Sequence, residues 1–85
     1  MNKRRAMGQI KVLSELKPRN KGKIKGITAR GDLKRKLVEM GILPGSGLEV
    51  LRVAPLGGPI EINIKGYNLS LRKEEAECVS IEVVA

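Results

Sequence analysis

Apolar and polar side chains alternate over much of the carboxyl-terminal part of this chain, which restricts that part to extended structure. Three segments, residues 60–64, 67–71 and 79–83, place an apolar residue at every second position. This period is typical of β-strands with one buried and one exposed face. The apolar segments at residues 24–29 and 48–54 complete a prediction of five short strands.

One helix is predicted between the first two strands. Leu33, Leu37 and Met40 recur at the spacing of a single helix face. Asp32 before them is a suitable N-cap, and Gly41 after them supplies a C-terminal stop. Two shorter elements, a leucine-packed turn and a single helical turn, are predicted at residues 13–18 and 73–76.

The length of the chain limits how these elements are assembled. It has 85 residues, enough for one domain, and a domain of this size buries only about 60% of its unfolded surface. Five short strands with one inserted helix are most easily closed as a partly open barrel, because closure removes exposed strand edges. We therefore predict a mainly β domain at residues 10–85, preceded by a flexible basic tail at residues 1–9.

Three consecutive cations, Lys34, Arg35 and Lys36, lie near the start of the predicted helix. Positive charges at a helix N-terminus oppose the helix dipole, at a cost of about 0.3–1 kcal/mol each when exposed. The run is therefore a candidate partner-binding site. A solvated helix face is the alternative, and the sequence alone favours it slightly.

The sequence Pro55-Leu56-Gly57-Gly58-Pro59, between two predicted strands, is a second candidate partner-binding site. The two prolines reduce the entropy that the loop would lose on docking, and the glycines permit a tight connection. A large apolar side chain at the tip of such a stiff loop suits an apolar pocket on a partner. The alternative is that Leu56 folds back over the open end of the barrel.

Ordered motifs in this chain resemble those of the FeoA family, small cytoplasmic proteins associated with bacterial ferrous iron uptake. The motifs cover roughly residues 12–84 and are MGI at 40–42, PG at 44–45, APLGGP at 54–59, GY at 66–67 and LSLR at 69–72. Several motifs in order are far more specific than any one of them. The resemblance implies an SH3-like barrel. One departure is Arg19 after Pro18, where members of the family usually carry glycine.

Positive charge is concentrated in the amino-terminal part of the chain. Residues 1–36 carry 13 Lys and Arg against 2 acidic residues, whereas residues 37–85 carry 4 against 7, giving a net charge of +8. Such a field indicates an anionic partner, which could be nucleic acid, a phospholipid face or an acidic protein surface. For Lys3, Arg4 and Arg5 in the predicted tail, a solvated exterior is the favoured interpretation.

Catalytic and metal-binding side chains are scarce. The chain has no histidine and one cysteine, Cys78, so the commonest general base and metal ligand is missing. We expect no enzymatic activity, no cofactor and no metal site. The cluster Glu74, Glu75 and Glu77 lacks the ligand spacing of a known metal site and is predicted to be a charged turn on the exterior. Cys78 is predicted to be a small buried hydrophobe.

The resemblance implies an accessory protein that acts on the cytoplasmic GTPase region of the membrane transporter FeoB. In this hypothesis, Lys34, Arg35, Lys36 and the loop at residues 55–59 bind the transporter. No segment approaches the roughly 18 apolar residues of a membrane span. We therefore expect a cytoplasmic protein without direct membrane insertion, recruited to the inner face of the membrane by its partner.

A small basic barrel that binds nucleic acid through phosphate contacts is the alternative function. Tyr67 is the one aromatic residue of the chain. Because single-stranded nucleic acids stack their bases on aromatic side chains, this alternative is the less favoured one. Salt-dependent retention of nucleic acid during purification would distinguish the two functions.

The composition predicts that the purified protein holds no stoichiometric metal. With no histidine and one cysteine, the chain would have to bind iron mainly through carboxylates, which hold ferrous iron weakly. Elemental analysis after dialysis measures the metal content. Iron or zinc near 1:1 would contradict the prediction and make the domain a carrier.

Overall fold

The computed structural model describes residues 9–84 of the chain. The strands are β1 (Ile10–Val12), β2 (Lys21–Ile27), β3 (Gly47–Val53), β4 (Ile60–Ile64), β5 (Tyr67–Leu71) and β6 (Val79–Val83). The helices are α1 (Gly31–Glu39) and α2 (Lys73–Ala76), and a 3₁₀ turn covers Leu13–Glu15. The predicted basic tail at residues 1–9 lies, apart from Gln9, outside the described residues.

The strands form one antiparallel sheet in the order β1-β6-β2-β3-β4-β5. Consecutive hairpins join β3, β4 and β5, and β6 returns to lie between β1 and β2. The register shifts once between β2 and β6 and once between β3 and β4. Such bulges bend a strand and increase its twist, so they help the sheet to curve around the core. The mainly β, partly open fold predicted from the sequence is confirmed.

The structure has one strand more than the five that the sequence predicts. β1 is three residues long and pairs with β6 through Ile10↔Glu82 and Val12↔Ser80. A segment this short carries no readable alternation, and its extended form depends on a strand far along the chain. β2 covers Lys21–Ile27 instead of residues 24–29. The sequence did not predict the part of β2 before residue 24, because exposed lysines alternate there with a glycine and not with a large apolar residue.

The core consists of aliphatic side chains. In β4, Ile60, Ile62 and Ile64 are buried while the residues between them are half-exposed. Burying one such side chain stabilises a fold by about 1.5–3 kcal/mol, a large share of the net stability of a small domain. Cys78 is half-buried against this core, less than predicted. The other buried apolar residues are Leu13, Leu16, Ile24, Leu37, Ile42, Leu48, Val50, Leu71, Ala76, Val79 and Ile81.

Helix α1 begins before the predicted N-cap. Arg30 occupies the N-cap position without a side-chain capping bond. Gly31 has a φ of 63°, which lets the chain turn into the helix ahead of Asp32. Asp32 therefore lies in the first turn, where its Oδ1 is 3.3 Å from Nη1 of Arg35. Because α1 ends at Glu39, Lys36 lies in its last turn, where a cation complements the helix dipole instead of opposing it.

The predicted end of the helix at Gly41 is confirmed. Gly41 has a φ of 98°, and its N–H donates to the Val38 carbonyl at 2.9 Å. The Tyr67 hydroxyl of β5 donates to the Met40 carbonyl at 2.9 Å, and a Cβ on residue 41 would collide with that hydroxyl. Glycine is therefore required here by the backbone and by the close approach of β5 to the end of α1.

The turn before β2 contains a residue in an unfavourable backbone conformation. Arg19 has a φ of 78°, a region that favours glycine. The turn is nevertheless well bonded, because the Arg19 N–H donates to the Val50 carbonyl at 2.7 Å and the Lys17 N–H to Asn20 Oδ1 at 2.8 Å. At the one position where the sequence departs from the pattern of the family, the backbone keeps the conformation that glycine would adopt.

We predict that Arg19→Gly stabilises the protein by up to about 1 kcal/mol. Relief of left-handed strain of about 1–2 kcal/mol exceeds the entropic cost of glycine, about 0.5–1 kcal/mol. Thermal unfolding should show a melting temperature that rises by up to about 8 °C. Lys23→Gly on the exposed face of β2 is the control, which relieves no left-handed strain and should be less stable. Equal losses in both variants would contradict strain at Arg19.

Candidate partner-binding site

The connection between β3 and β4 is a tight turn with Leu56 at its tip. The Ala54 N–H donates to the Pro59 carbonyl at 3.0 Å, and the Gly58 N–H donates to the Pro55 carbonyl at 3.1 Å. The two central residues, Leu56 and Gly57, have φ values of 56° and 77°. Positive φ at both central positions is the signature of a type I′ turn, whose twist matches that of the flanking strands.

The Leu56 side chain projects fully into solvent, with a relative exposure of 103%. The other large apolar side chains that reach the surface among residues 9–84 are 37–58% exposed, so their neighbours cover about half of each one. Leu56 therefore does not fold back over the open end of the sheet. Its display at the loop tip agrees with the position that the sequence predicts for a docking residue, while docking itself stays a prediction.

The hairpin between β4 and β5 has the same turn with a different side chain. Lys65 and Gly66 connect the paired residues Ile64 and Tyr67, and their φ values are 52° and 88°. A non-glycine residue followed by glycine thus forms both turns. The charged lysine side chain is well hydrated at such a tip. The leucine side chain is exposed to water there and is not buried against the rest of the described domain. The backbone conformation alone does not account for an apolar residue at position 56.

The three cations of α1 do not share one environment. Arg35 pairs with Asp32 within the helix, and Lys34 is exposed. The Lys36 amine lies 2.6 Å from Oε2 of Glu75 in α2. Arg35 and Asp32 are both largely exposed, so their ion pair contributes little. Lys36 is instead part of the contact between the two helices, which the sequence did not predict.

Glu75 contradicts the prediction that the acidic cluster forms an exterior turn. Its side chain is buried, with 7% exposure. Oε1 accepts a hydrogen bond from the Arg72 backbone N–H at 2.9 Å, and Oε2 accepts one from Lys36. A carboxylate is tolerated at such a site only when it is paired and hydrogen-bonded. Glu74 and Glu77, by contrast, are exposed as predicted.

The pKa of Glu75 reflects this balance. Burial raises the pKa of its carboxyl, but the hydrogen bond from Lys36, the bond from the Arg72 backbone and the charges of Lys36 and Arg72 outweigh it. The net pKa is lowered from the usual value. The carboxylate is therefore ionised at neutral pH and fastens α1 to α2.

Helix α2 also lies beside the Leu56 turn. A Cβ placed on Gly57 would lie 3.7 Å from Cδ of Lys73, and the concavity beside the turn is lined by Gly58, Ser70, Arg72 and Lys73 among other residues. The two segments predicted from the sequence are therefore connected through α2. Arg72 and Lys73 were missed because only the folded sheet places the start of α2 next to the β3–β4 turn.

Two further features of the described residues concern metals and membranes. Within residues 9–84, no three side chains of the types His, Cys, Asp and Glu are grouped so that they could hold a metal ion. Glu75 already accepts hydrogen bonds from Lys36 and Arg72. Over the same residues, every helix is too short or too polar to cross a membrane.

We predict that Lys36→Gln destabilises the fold by about 1–3 kcal/mol, because it leaves the buried Glu75 without its cation. Lys34→Gln is the matched control and should change the free energy of unfolding by about 0.5 kcal/mol or less. Urea unfolding measures both. The double change Lys36→Gln with Glu75→Gln should recover part of the loss, and strictly additive single effects would contradict coupling between the two side chains.

Acidification provides an independent check of the same ion pair. Because the folded-state pKa of Glu75 is lowered, its stabilising contribution is complete above the unfolded pKa and disappears as pH falls through the folded pKa. The stability difference between the wild type and Lys36→Gln should therefore narrow below about pH 4. An unchanged difference at low pH would assign the loss to packing of the lysine stem.

Comparison with known proteins agrees with this fold. The family model described as the FeoA domain matches residues 11–83. A Fe(2+) transport protein A/Fe(2+) transporter FeoB fusion protein of Porphyromonas gingivalis is 34% identical over 73 residues, which are 86% of this chain and 9% of that protein. The chain thus spans about a tenth of this relative's length.

Solved structures show the same architecture. The FeoA-like protein of Clostridium acetobutylicum is 37% identical, with a TM-score of 0.82 over 93% of this chain and 92% of that one. The zinc complex of Stenotrophomonas maltophilia FeoA, described as a prokaryotic SH3 domain protein, is 24% identical, with a TM-score of 0.73 over 84% of this chain and 88% of that one. At that identity the likeness shows only the SH3-like fold. The family model and the identity to these relatives together establish that the chain belongs to the FeoA family, which is involved in ferrous iron transport.

Proposed function

We propose that this chain is an accessory protein of ferrous iron uptake that binds the cytoplasmic GTPase region of a FeoB-type transporter. The observation that carries the proposal is the Porphyromonas gingivalis relative, in which the two parts named in the fusion are joined in one polypeptide. Joining two binding partners raises their effective concentration to about the millimolar range. Such a fusion is advantageous when the partners act in contact with each other.

The proposed contact is the Leu56 turn together with part of α1. Pro55, Leu56, Gly57, Gly58 and Pro59 supply a stiff apolar projection, and Leu56 is fully exposed. On α1, Lys34 and Arg35 face solvent and add a basic surface. Lys36 is withdrawn from the partner-binding set, because its amine is engaged by Glu75 at 2.6 Å.

An interaction module of this kind would act by differential binding. If the domain binds one nucleotide state of the transporter more tightly than another, it shifts the population toward that state. A difference of about 1.4 kcal/mol in binding free energy shifts the equilibrium about tenfold. This mechanism requires no catalytic residue and no cofactor in the domain. The protein would be cytoplasmic and would reach the inner face of the membrane through its partner.

A row of exposed lysines on β2 is the feature that favours nucleic acid as the second candidate partner. Lys21, Lys23 and Lys25 alternate with inward-facing positions. Their charge is partly compensated, because the Lys25 amine lies 3.7 Å from Oε1 of Glu82 and Glu49 lies opposite Lys21 in the sheet register. Tyr67, the one aromatic residue of the sequence, lies on β5 and is separated from β2 by two strands of the sheet, so no aromatic platform accompanies the row. These observations make nucleic acid the weaker candidate.

Binding to the transporter can be tested directly. The purified protein is immobilised and presented with the cytoplasmic part of its transporter in the presence of GDP or a non-hydrolysable GTP analogue. We expect retention in at least one nucleotide state, stronger in one than in the other. Retention that is equal in both states would limit the protein to tethering, and absence of retention in both would overturn the proposed function.

A further inference from the structure

The surroundings of the Leu56 turn suggest how the proposed partner is recognised. We propose that the Leu56 side chain, here called the knob, and the side chains of Arg72 and Lys73, here called the collar, form one recognition element. Its complement is an apolar socket with an acidic rim on the surface of a protein. The inference rests on the proposed function and specifies the chemistry of the partner surface.

The knob occupies a position that the fold itself does not favour. Type I′ turns prefer asparagine, aspartate or glycine at their first central position, since the left-handed backbone is strained for other residues. Leu56 has a φ of 56° and is fully exposed. It thus combines an unfavourable backbone with unfavourable hydration. Strained residues of this kind cluster at functional sites. Lys65 has a similar backbone conformation, so the feature that distinguishes Leu56 is its fully exposed apolar side chain.

The collar supplies charge next to the knob. Arg72 and Lys73 are exposed and line the concavity beside the turn. Within residues 9–84 neither side chain lies within 4 Å of a carboxylate oxygen, whereas Arg52 on the other side of the turn pairs with Glu61 at 3.1 Å. Glu74 also lines the concavity, and the charge of Arg72 acts on Glu75. Because Glu75 is already paired with Lys36, the exposed charge beside the turn is still net positive. A rim of carboxylates on the partner is the complementary arrangement.

The collar is held in place by the ion pair between Lys36, which is half-exposed, and the buried Glu75. Oε1 of Glu75 accepts the backbone N–H of Arg72 at 2.9 Å, while Oε2 binds Lys36 at 2.6 Å. These bonds fix the first turn of α2, and the pairing of Leu71 with Ile60 holds the start of α2 beside the β3–β4 turn. A preorganised surface loses less entropy on binding. Lys36 acts here as a positioning residue that does not itself touch the partner.

A folded protein fits this element better than a lipid or a nucleic acid. One isolated leucine at a loop tip needs a socket of fixed shape to lose its contact with water. A nucleic acid would be expected to use the lysine row of β2, at the other end of β3 from the turn. The knob would then have no role. We therefore assign the acidic-rimmed socket to the protein partner.

The knob is tested with two substitutions that create the same Asn-Gly turn. Leu56→Asn and Lys65→Asn should each raise the melting temperature by about 2–5 °C, because asparagine tolerates the left-handed backbone. Leu56→Asn should also weaken binding to the cytoplasmic part of the transporter at least about tenfold. Lys65→Asn should bind like the wild type. If Leu56→Asn binds the transporter with wild-type affinity, the hypothesis that the knob contributes to recognition is wrong.

The collar is tested by the rate of association. Arg72→Gln with Lys73→Gln should slow association about threefold or more at low salt, and the difference should disappear at high salt. Lys21→Gln with Lys23→Gln removes the same charge about 20 Å away along β3 and should have a smaller effect. If both double variants slow association equally, the hypothesis of a collar is wrong and the net charge of the domain is the cause.

The two levels of the hypothesis fail in different ways. If the wild type binds the transporter and all four variants match it, the recognition element is wrong while the proposed function stands. If the wild type fails to bind in either nucleotide state, both are wrong. Vesicles containing anionic phospholipid serve as a further comparison. Binding to vesicles that Leu56→Asn weakens as strongly as binding to the transporter would assign the knob to a membrane surface and overturn the socket.

Discussion

The fold depends on a core that a small chain builds without large aromatic residues. The sequence has no Phe and no Trp, so Ile, Leu and Val must fill the interior. Branched aliphatic side chains pack efficiently when regular strands present them in register, as Ile60, Ile62 and Ile64 do in β4. This regularity has a structural consequence at the ends of the strands. Because side chains of the strands already fill the core, the side chains of the turns are not needed there and can point into solvent.

Local pattern was sufficient to predict the strands in which apolar and polar residues alternate. The alternation at residues 60–64, 67–71 and 79–83 matched β4, β5 and β6, and the stop at Gly41 matched the end of α1. The sequence predicted less well the elements whose structure depends on residues far along the chain. β1 is extended only because β6 pairs with it, and Gly31 moves the start of α1 ahead of the residue that resembles a cap. Sequence patterns report local periodicity, and these features arise from pairing and backbone conformation.

In the candidate site, too, the features set by local sequence were predicted and those set by distant contacts were not. Pro55 and the glycines beside Leu56 predicted its place at the tip of a stiff loop. The sequence left open that the side chain folds back over the open end of the sheet, and only the structure shows that it is exposed. The cations were harder to interpret, because three neighbours in sequence have three different environments. Lys36 reaches Glu75 across 39 positions of sequence, and no local signal marks that contact. Glu75 itself resembles any surface glutamate until the sheet places α2 against α1.

Tyr67 gives this protein a built-in spectroscopic label. It is the one aromatic residue in the sequence, so near-ultraviolet absorption and intrinsic fluorescence arise from a single side chain. Its hydroxyl bonds the carbonyl at the end of α1, and changes at that phenol will report whether the helix stays seated against β5. The signal therefore follows one helix–strand contact instead of an average over the molecule. A movement of the end of α1 that breaks this bond therefore changes the tyrosine signal without an attached dye.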